Sequence, residues 1–144
     1  MSGTPGGGPK PTRGIFLTVM TPLYVLLAIS NFTKPIQRLR HPETAGLVIL
    51  GHRLESFGAN LVFGPLFGLI IFAYAWGVWK MKWWVLPIAM VYAVYVPVNL
   101  TLFWFTHGSG EHPSMNFIIL YLVLSLSGSV ISGLYLSYHH DRLS

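Results

Sequence analysis

Residues 57–84 read FGANLVFGPLFGLIIFAYAWGVWKMKWW, and their reading decides the fold. From Phe57 to Trp79 no side chain carries a charge. At 1.5 Å rise per helical residue this run is about 34 Å long, enough to cross a hydrocarbon core of ~30 Å. It stops at Lys80-Met81-Lys82, two cations framed by Trp76, Trp79, Trp83 and Trp84. An indole has an apolar body and one polar N–H, so tryptophans beside lysines form a belt suited to a membrane–water interface. The sequence then becomes apolar again, so the chain turns at a boundary and goes back.

Working outward, the same criterion gives four spans, at about 15–32, 57–79, 83–106 and 115–138. Hydrophobic residues make up 53% of the chain and charged residues 9%, whereas soluble domains carry about 25% charge. Nine basic and four acidic residues cannot cover the surface of a water-soluble fold of 144 residues. The expected fold is all-α: a four-helix transmembrane bundle forming a single domain over 15–144, behind a flexible Gly/Pro-rich tail at 1–14. Ala28-Ile29-Ser30 has the small-x-small pattern of a signal-peptidase site. The first apolar run is nevertheless expected to stay as a span.

The stretch ahead of the second span keeps a helical pattern back to Thr44. A straight helix over 44–79 would exceed 50 Å, too long for one crossing. Residues 44–56 are therefore expected to form an interfacial amphipathic extension before helix 2, with flexibility near Gly58 or Gly64-Pro65.

Four spans place the hinges alternately. The tail, the Lys80–Lys82 turn and the C-terminus share one face, and the first and third hinges share the other. His41, Glu43, His52, Arg53, Glu55, His107, Glu111 and His112 should then collect at one end. The tail face carries Lys10, Arg13, Lys80, Lys82 and Arg142, against Lys34, Arg38, Arg40 and Arg53 opposite. That bias points to cytoplasmic termini in a bacterial inner membrane.

Within this face, His52 and Glu55 would lie on one side of a helix at i, i+3 spacing. With His107 and His112 they form a candidate cofactor-binding set, suited to haem, a pigment, a quinone or a divalent metal. The competing reading is a polar stripe that meets lipid headgroups, and none of the core spans contains the histidine that a membrane haem requires. Small residues supply a second pattern. Ser125, Ser129, Gly133 and Ser137 recur at fourfold spacing, and Gly64 and Gly68 do likewise on the second span. Such faces let helices approach closely, within the bundle or against a partner. Asn60 and Asn99 are expected to hydrogen-bond across helices.

The absence of cysteine excludes disulfides, thiolate metal sites, Cys nucleophiles and covalent c-type haem. The net charge of +5 is spread over loops and tails, which argues against nucleic acid and for contact with anionic lipid. No catalytic motif is present. The expected function is that of a non-catalytic structural or accessory subunit of a larger membrane complex, in contact with the lipid bilayer and with other membrane subunits or further copies of itself. The alternative is a redox or cofactor-binding membrane protein using the His52/Glu55/His107/His112 face. A third is a small transporter or channel, which the lack of ionisable groups near mid-span disfavours.

Overall fold

The computed structural model describes residues 14–42, 46–107 and 115–144, apart from the side chains of 107, 115–118, 120 and 121. These residues are mostly helical. Helix α1 (Ile15–Phe32) is followed by a short α2 (Lys34–Arg40). A two-stranded antiparallel hairpin comes next, β1 (Val48–Ile49) and β2 (His52–Arg53), before α3 (Phe57–Trp79) and α4 (Val85–His107). The last helical run comprises α5 (Met115–Leu126), a π-turn at Ser127–Ile131 and α6 (Ser132–Tyr138). Three helical stretches, Ile15–Phe32, Phe57–Trp79 and Val85–Thr106, are long and apolar enough to cross a membrane. The expected fourth span is helical within its expected bounds, but its described apolar stretch, Leu122–Tyr138, is shorter than these three.

The helices pack as two pairs. Helix α1 lies along α3, where glycine permits close contact. A Cβ at Gly64 would come within 2.9 Å of the Asn31 carbonyl oxygen, and one at Gly68 within 2.8 Å of the Phe32 ring. Helix α4 lies along α6 in the same manner, with Gly133 set against the Ala89 carbonyl and Ala93. The pairs join through Tyr24, whose hydroxyl donates to the Gly128 carbonyl at 2.5 Å and shares a hydrogen bond with the Ser132 hydroxyl. Both partners of Tyr24 lie in or beside the π-turn, where an extra residue widens the helix.

Among the described residues, the main cluster of buried apolar side chains gathers toward one end of the bundle. Leu17, Met20 and Tyr24 of α1 meet Tyr74, Ala75 and Val78 of α3, Val85 and Ala89 of α4, and Leu136 of α6. The same end holds the α3–α4 turn. Met81 takes a left-handed conformation there (φ 52°), and Lys82 donates its amide to the Gly77 carbonyl at 2.9 Å. Ser144 bonds Met81 and Trp83 through its backbone at 2.8 and 3.2 Å. The C-terminus and this turn therefore share one end, as alternating hinges require.

The other end departs from expectation. Residues 46–54 do not continue α3 as a helical extension; they fold back as a hairpin in which Val48 pairs with Arg53 and Ile49 with His52. The turn is Leu50-Gly51, with φ of 48° and 79°. Positive φ at both central positions gives the type I′ geometry that matches strand twist. Helix α3 starts at Phe57, where Ser56 caps it by accepting from the Ala59 amide at 3.4 Å. Pro65 lies inside a helix that runs unbroken to Trp79, so the flexibility expected near Gly58 and Gly64-Pro65 does not divide it. Residues 34–40, in the first hinge between the expected spans, form α2, whose second residue, Pro35, suits a first turn.

Candidate functional site

Two asparagines hold the hairpin against the bundle. Asn60, in the first turn of α3, is fully buried. Its carbonyl oxygen accepts from the Leu47 amide at 2.9 Å, and its amide nitrogen donates to the carbonyls of Leu54 and Ser56 at 2.7 and 2.9 Å. One side chain thus ties the entry and exit of the hairpin to the start of the helix. Asn99 of α4 holds the hairpin itself, accepting from the Gly51 amide at 3.0 Å and donating to the Val48 carbonyl at 3.3 Å. Thr106 adds a third anchor, its hydroxyl 2.8 Å from the Gly51 carbonyl oxygen and 3.0 Å from that of Leu102. The expected inter-helix bonds of Asn60 and Asn99 are instead bonds to this hairpin, which joins α3 and α4 at that end.

Beneath β1 lies a cavity of about 560 Å³. One wall is α1, from Met20 through Tyr24 and Leu27 to Asn31, with Lys34 just beyond. Tyr92, Tyr95 and Asn99 of α4 line a second wall, Phe67 and Ile71 of α3 a third, and Leu124, Ser125 and Gly128 the last. Tyr24 of α1 meets the π-turn at Gly128, and both α1 and α5 contribute to the lining. Leu26 of α1 and Leu124 of α5 line the cavity and are also 61% and 48% exposed, so its lining reaches the outer surface of the bundle.

The walls are largely apolar, and the polar groups are graded. Asn31, Asn99 and Lys34 sit at the hairpin end, with tyrosines deeper down. Lys34 is half-buried; its ammonium lies 3.4 Å from the Gln37 amide oxygen. Burial, followed by the repulsion of nearby Arg53, holds its pKa below the usual lysine value. Among the described residues no carboxylate makes an ion pair with Lys34. Tyr74 stands behind Tyr24, 5.1 Å from it between ring centres, with its hydroxyl buried.

The sequence-derived candidates fall in several places. His52 lies on β2 and Glu55 in the loop before α3, both exposed. They are not on a helix, so their i, i+3 relation does not apply. The Thr106–Gly51 bond does bring the backbones of His107 and His52 to one end of the bundle. The side chain of His107 and all of His112 lie outside the described residues. Among the described residues no three His, Asp or Glu side chains converge as a metal cage would require. Gly64, Gly68 and Gly133 serve packing within the chain. Ser129 is buried and donates to the Ser125 carbonyl at 2.7 Å, Ser125 borders the cavity, and Ser137 is exposed. Trp76, Trp79 and Trp83 stand exposed around the α3–α4 turn, with Trp84 half-buried beside them.

Sequence reasoning did not find the cavity. Its lining is assembled from residues far apart in the chain, and the few named from the sequence, among them Ser30, Lys34, Asn99 and Ser125, were named for unrelated reasons. The available signal was the pair Gly46 and Gly51 bracketing a β-branched Val48-Ile49, followed by Ser56 as a helix cap. Comparison with protein-family models, with curated proteins and with solved structures finds no match to this chain.

Proposed function

We propose that this protein is a multi-pass integral membrane protein, a four-span bundle with both termini on one side, acting as a non-catalytic accessory subunit within a larger membrane assembly. The observation that carries the reading is the unequal packing of the three long helices. A third of the apolar window is buried in α1 and in α3, but only 17% in α4. The uncovered side of α4 presents Met90, Val91, Val94 and Val98, which line a shallow apolar groove with Tyr95. Valine has a single strongly preferred rotamer on a helix, so a valine face loses little side-chain freedom when another helix packs on it. The charged side chains among the described residues lie outside the three long apolar stretches, which favours a helix-packing role over ion conduction.

A photoreactive residue at position 94, placed in the chain in its native membrane, tests this. Position 134 is the control, since Leu134 is exposed on α6. Crosslinking of position 94 to a second polypeptide, with position 134 giving lipid adducts, is the expected result. The mass of the product separates a different subunit from a second copy. Lipid adducts at both positions, together with a lone monomer in mild detergent, would overturn the reading.

A further inference from the structure

The cavity beneath the hairpin has the shape and polarity of a lipid site. We propose that it holds a single-chain amphiphile with an anionic head: the acyl chain lies along α1 toward Tyr24, and the head group meets the Lys34 ammonium under the hairpin. Four observations converge on this occupant. The volume of about 560 Å³ falls within the ~300–1,000 Å³ typical of small-molecule sites. The space is elongated, because its α1 wall runs from Met20 to Asn31, about 16 Å along the helix axis. Its long sides are apolar, formed by Leu23, Leu27, Phe67, Ile71, Val96 and Leu124. Its lining at the hairpin end includes a half-buried cation, Lys34, and Arg53, outside the lining, is near enough to repel it.

Charge complementarity selects the head group. Lys34 and Arg53 repel each other, and burial weakens the hydration that would otherwise offset that repulsion. The hydrogen bond to Gln37 is long and supplies only a neutral acceptor. Both wall asparagines are already engaged: Asn31 donates to the Leu27 carbonyl, and Asn99 holds the hairpin. A carboxylate or phosphate at Lys34 would relieve the repulsion through a charge-assisted hydrogen bond. A cationic or neutral head would not. The lining reaches the outer surface of the bundle at Leu26 and Leu124, which gives a chain a route in from the bilayer, and Tyr24, bonded to Gly128, borders the end away from the hairpin.

The test uses the full chain purified in a non-ionic detergent. Hexadecanoic acid, a lysophosphatidylglycerol and hexadecanol are each titrated and read by native mass spectrometry. One equivalent of either anionic probe should bind at least about tenfold more tightly than the alcohol, the margin of one charge-assisted contact. Which anionic probe binds better distinguishes a free acid from a lysolipid as the source. Lys34→Gln should remove that tenfold preference while leaving hexadecanol binding unchanged. Leu27→Trp, which fills the cavity midway, should abolish binding of all three. Equal binding of acid and alcohol, or a preference that survives Lys34→Gln, would overturn the proposal. So would binding that survives Leu27→Trp. Should Leu27→Trp fail to fold, Ser125→Trp from another wall gives the same readout.

Discussion

Asn60 shows how one side chain can replace a segment of regular structure. The loop from Gly46 to Ser56 has few ladder bonds of its own, and Asn60 satisfies an amide at one end and two carbonyls at the other. Asn60→Leu keeps the approximate volume but leaves those backbone groups without partners. We expect a loss of about 3 kcal/mol, measured as thermal unfolding in detergent, with faster hydrogen exchange at the Leu47 amide. Lys34 provides a second test, through pH. Its pKa is lowered by burial and then by Arg53, so the charged form is penalised in the folded state. Well below the folded-state pKa both states are protonated and the penalty is fully present. As pH rises from there to 10.5, the folded state loses its proton first and stability increases. Lys34→Met should raise the melting temperature of the lipid-free protein at pH 7 and remove the rise toward pH 10. An unchanged profile would place the titration elsewhere.

At the scale of elements, the hairpin is the departure from sequence reasoning, and its cause can be named. Leu47, Val48, Ile49, Leu50, Leu54 and Phe57 continue an apolar pattern that suits a helix, and Leu-Gly is a weak hairpin signal beside Asn-Gly. Tertiary bonds from Asn60, Asn99 and Thr106 select the strand pairing over the local preference. The selection has a cost, because Leu50 is held at φ 48°, where its Cβ crowds the following carbonyl. Leu50→Asn should therefore stabilise the protein by about 1 kcal/mol in the same unfolding assay. Gly51 admits no such change. Its φ of 79° disfavours any Cβ, and one there would fall 2.7 Å from Leu102. Gly51→Ala should free the hairpin from α4 and speed hydrogen exchange at the residue 51 amide, which loses its bond to Asn99. The long helices were legible because hydropathy acts over twenty residues and needs no partner. The hairpin, the π-turn and the cavity depend on contacts between distant segments, which periodicity does not encode.

At the scale of the whole molecule, the two ends of the bundle differ in kind. The turn end is packed solid around Leu17, Val78, Val85 and Leu136, whereas the hairpin end carries the cavity and the buried asparagines. Of the segments that span counting places together, the N-terminal tail and most of the third hinge lie outside the described residues, and the others meet as expected. The C-terminus bonds to the Met81 turn, and the hairpin of the first hinge meets the last turn of α4. A bilayer converts this arrangement into a requirement on sidedness. The chain contains no cysteine, so single cysteines can be introduced without background. Ser144→Cys and Lys80→Cys lie at the turn end, and His41→Cys and His52→Cys at the hairpin end; all four positions are exposed. In sealed, right-side-out vesicles a membrane-impermeant maleimide should label one pair and spare the other until the membrane is permeabilised. The basic residues near the termini and the turn favour labelling of positions 41 and 52 from outside. The reverse pattern would invert the orientation but preserve the bundle. Labelling of 144 together with 52, but not of 80, would place an odd number of crossings between the turn and the C-terminus. The last helical run would then lie along the interface instead of crossing, and the α5 wall of the cavity would sit at headgroup level.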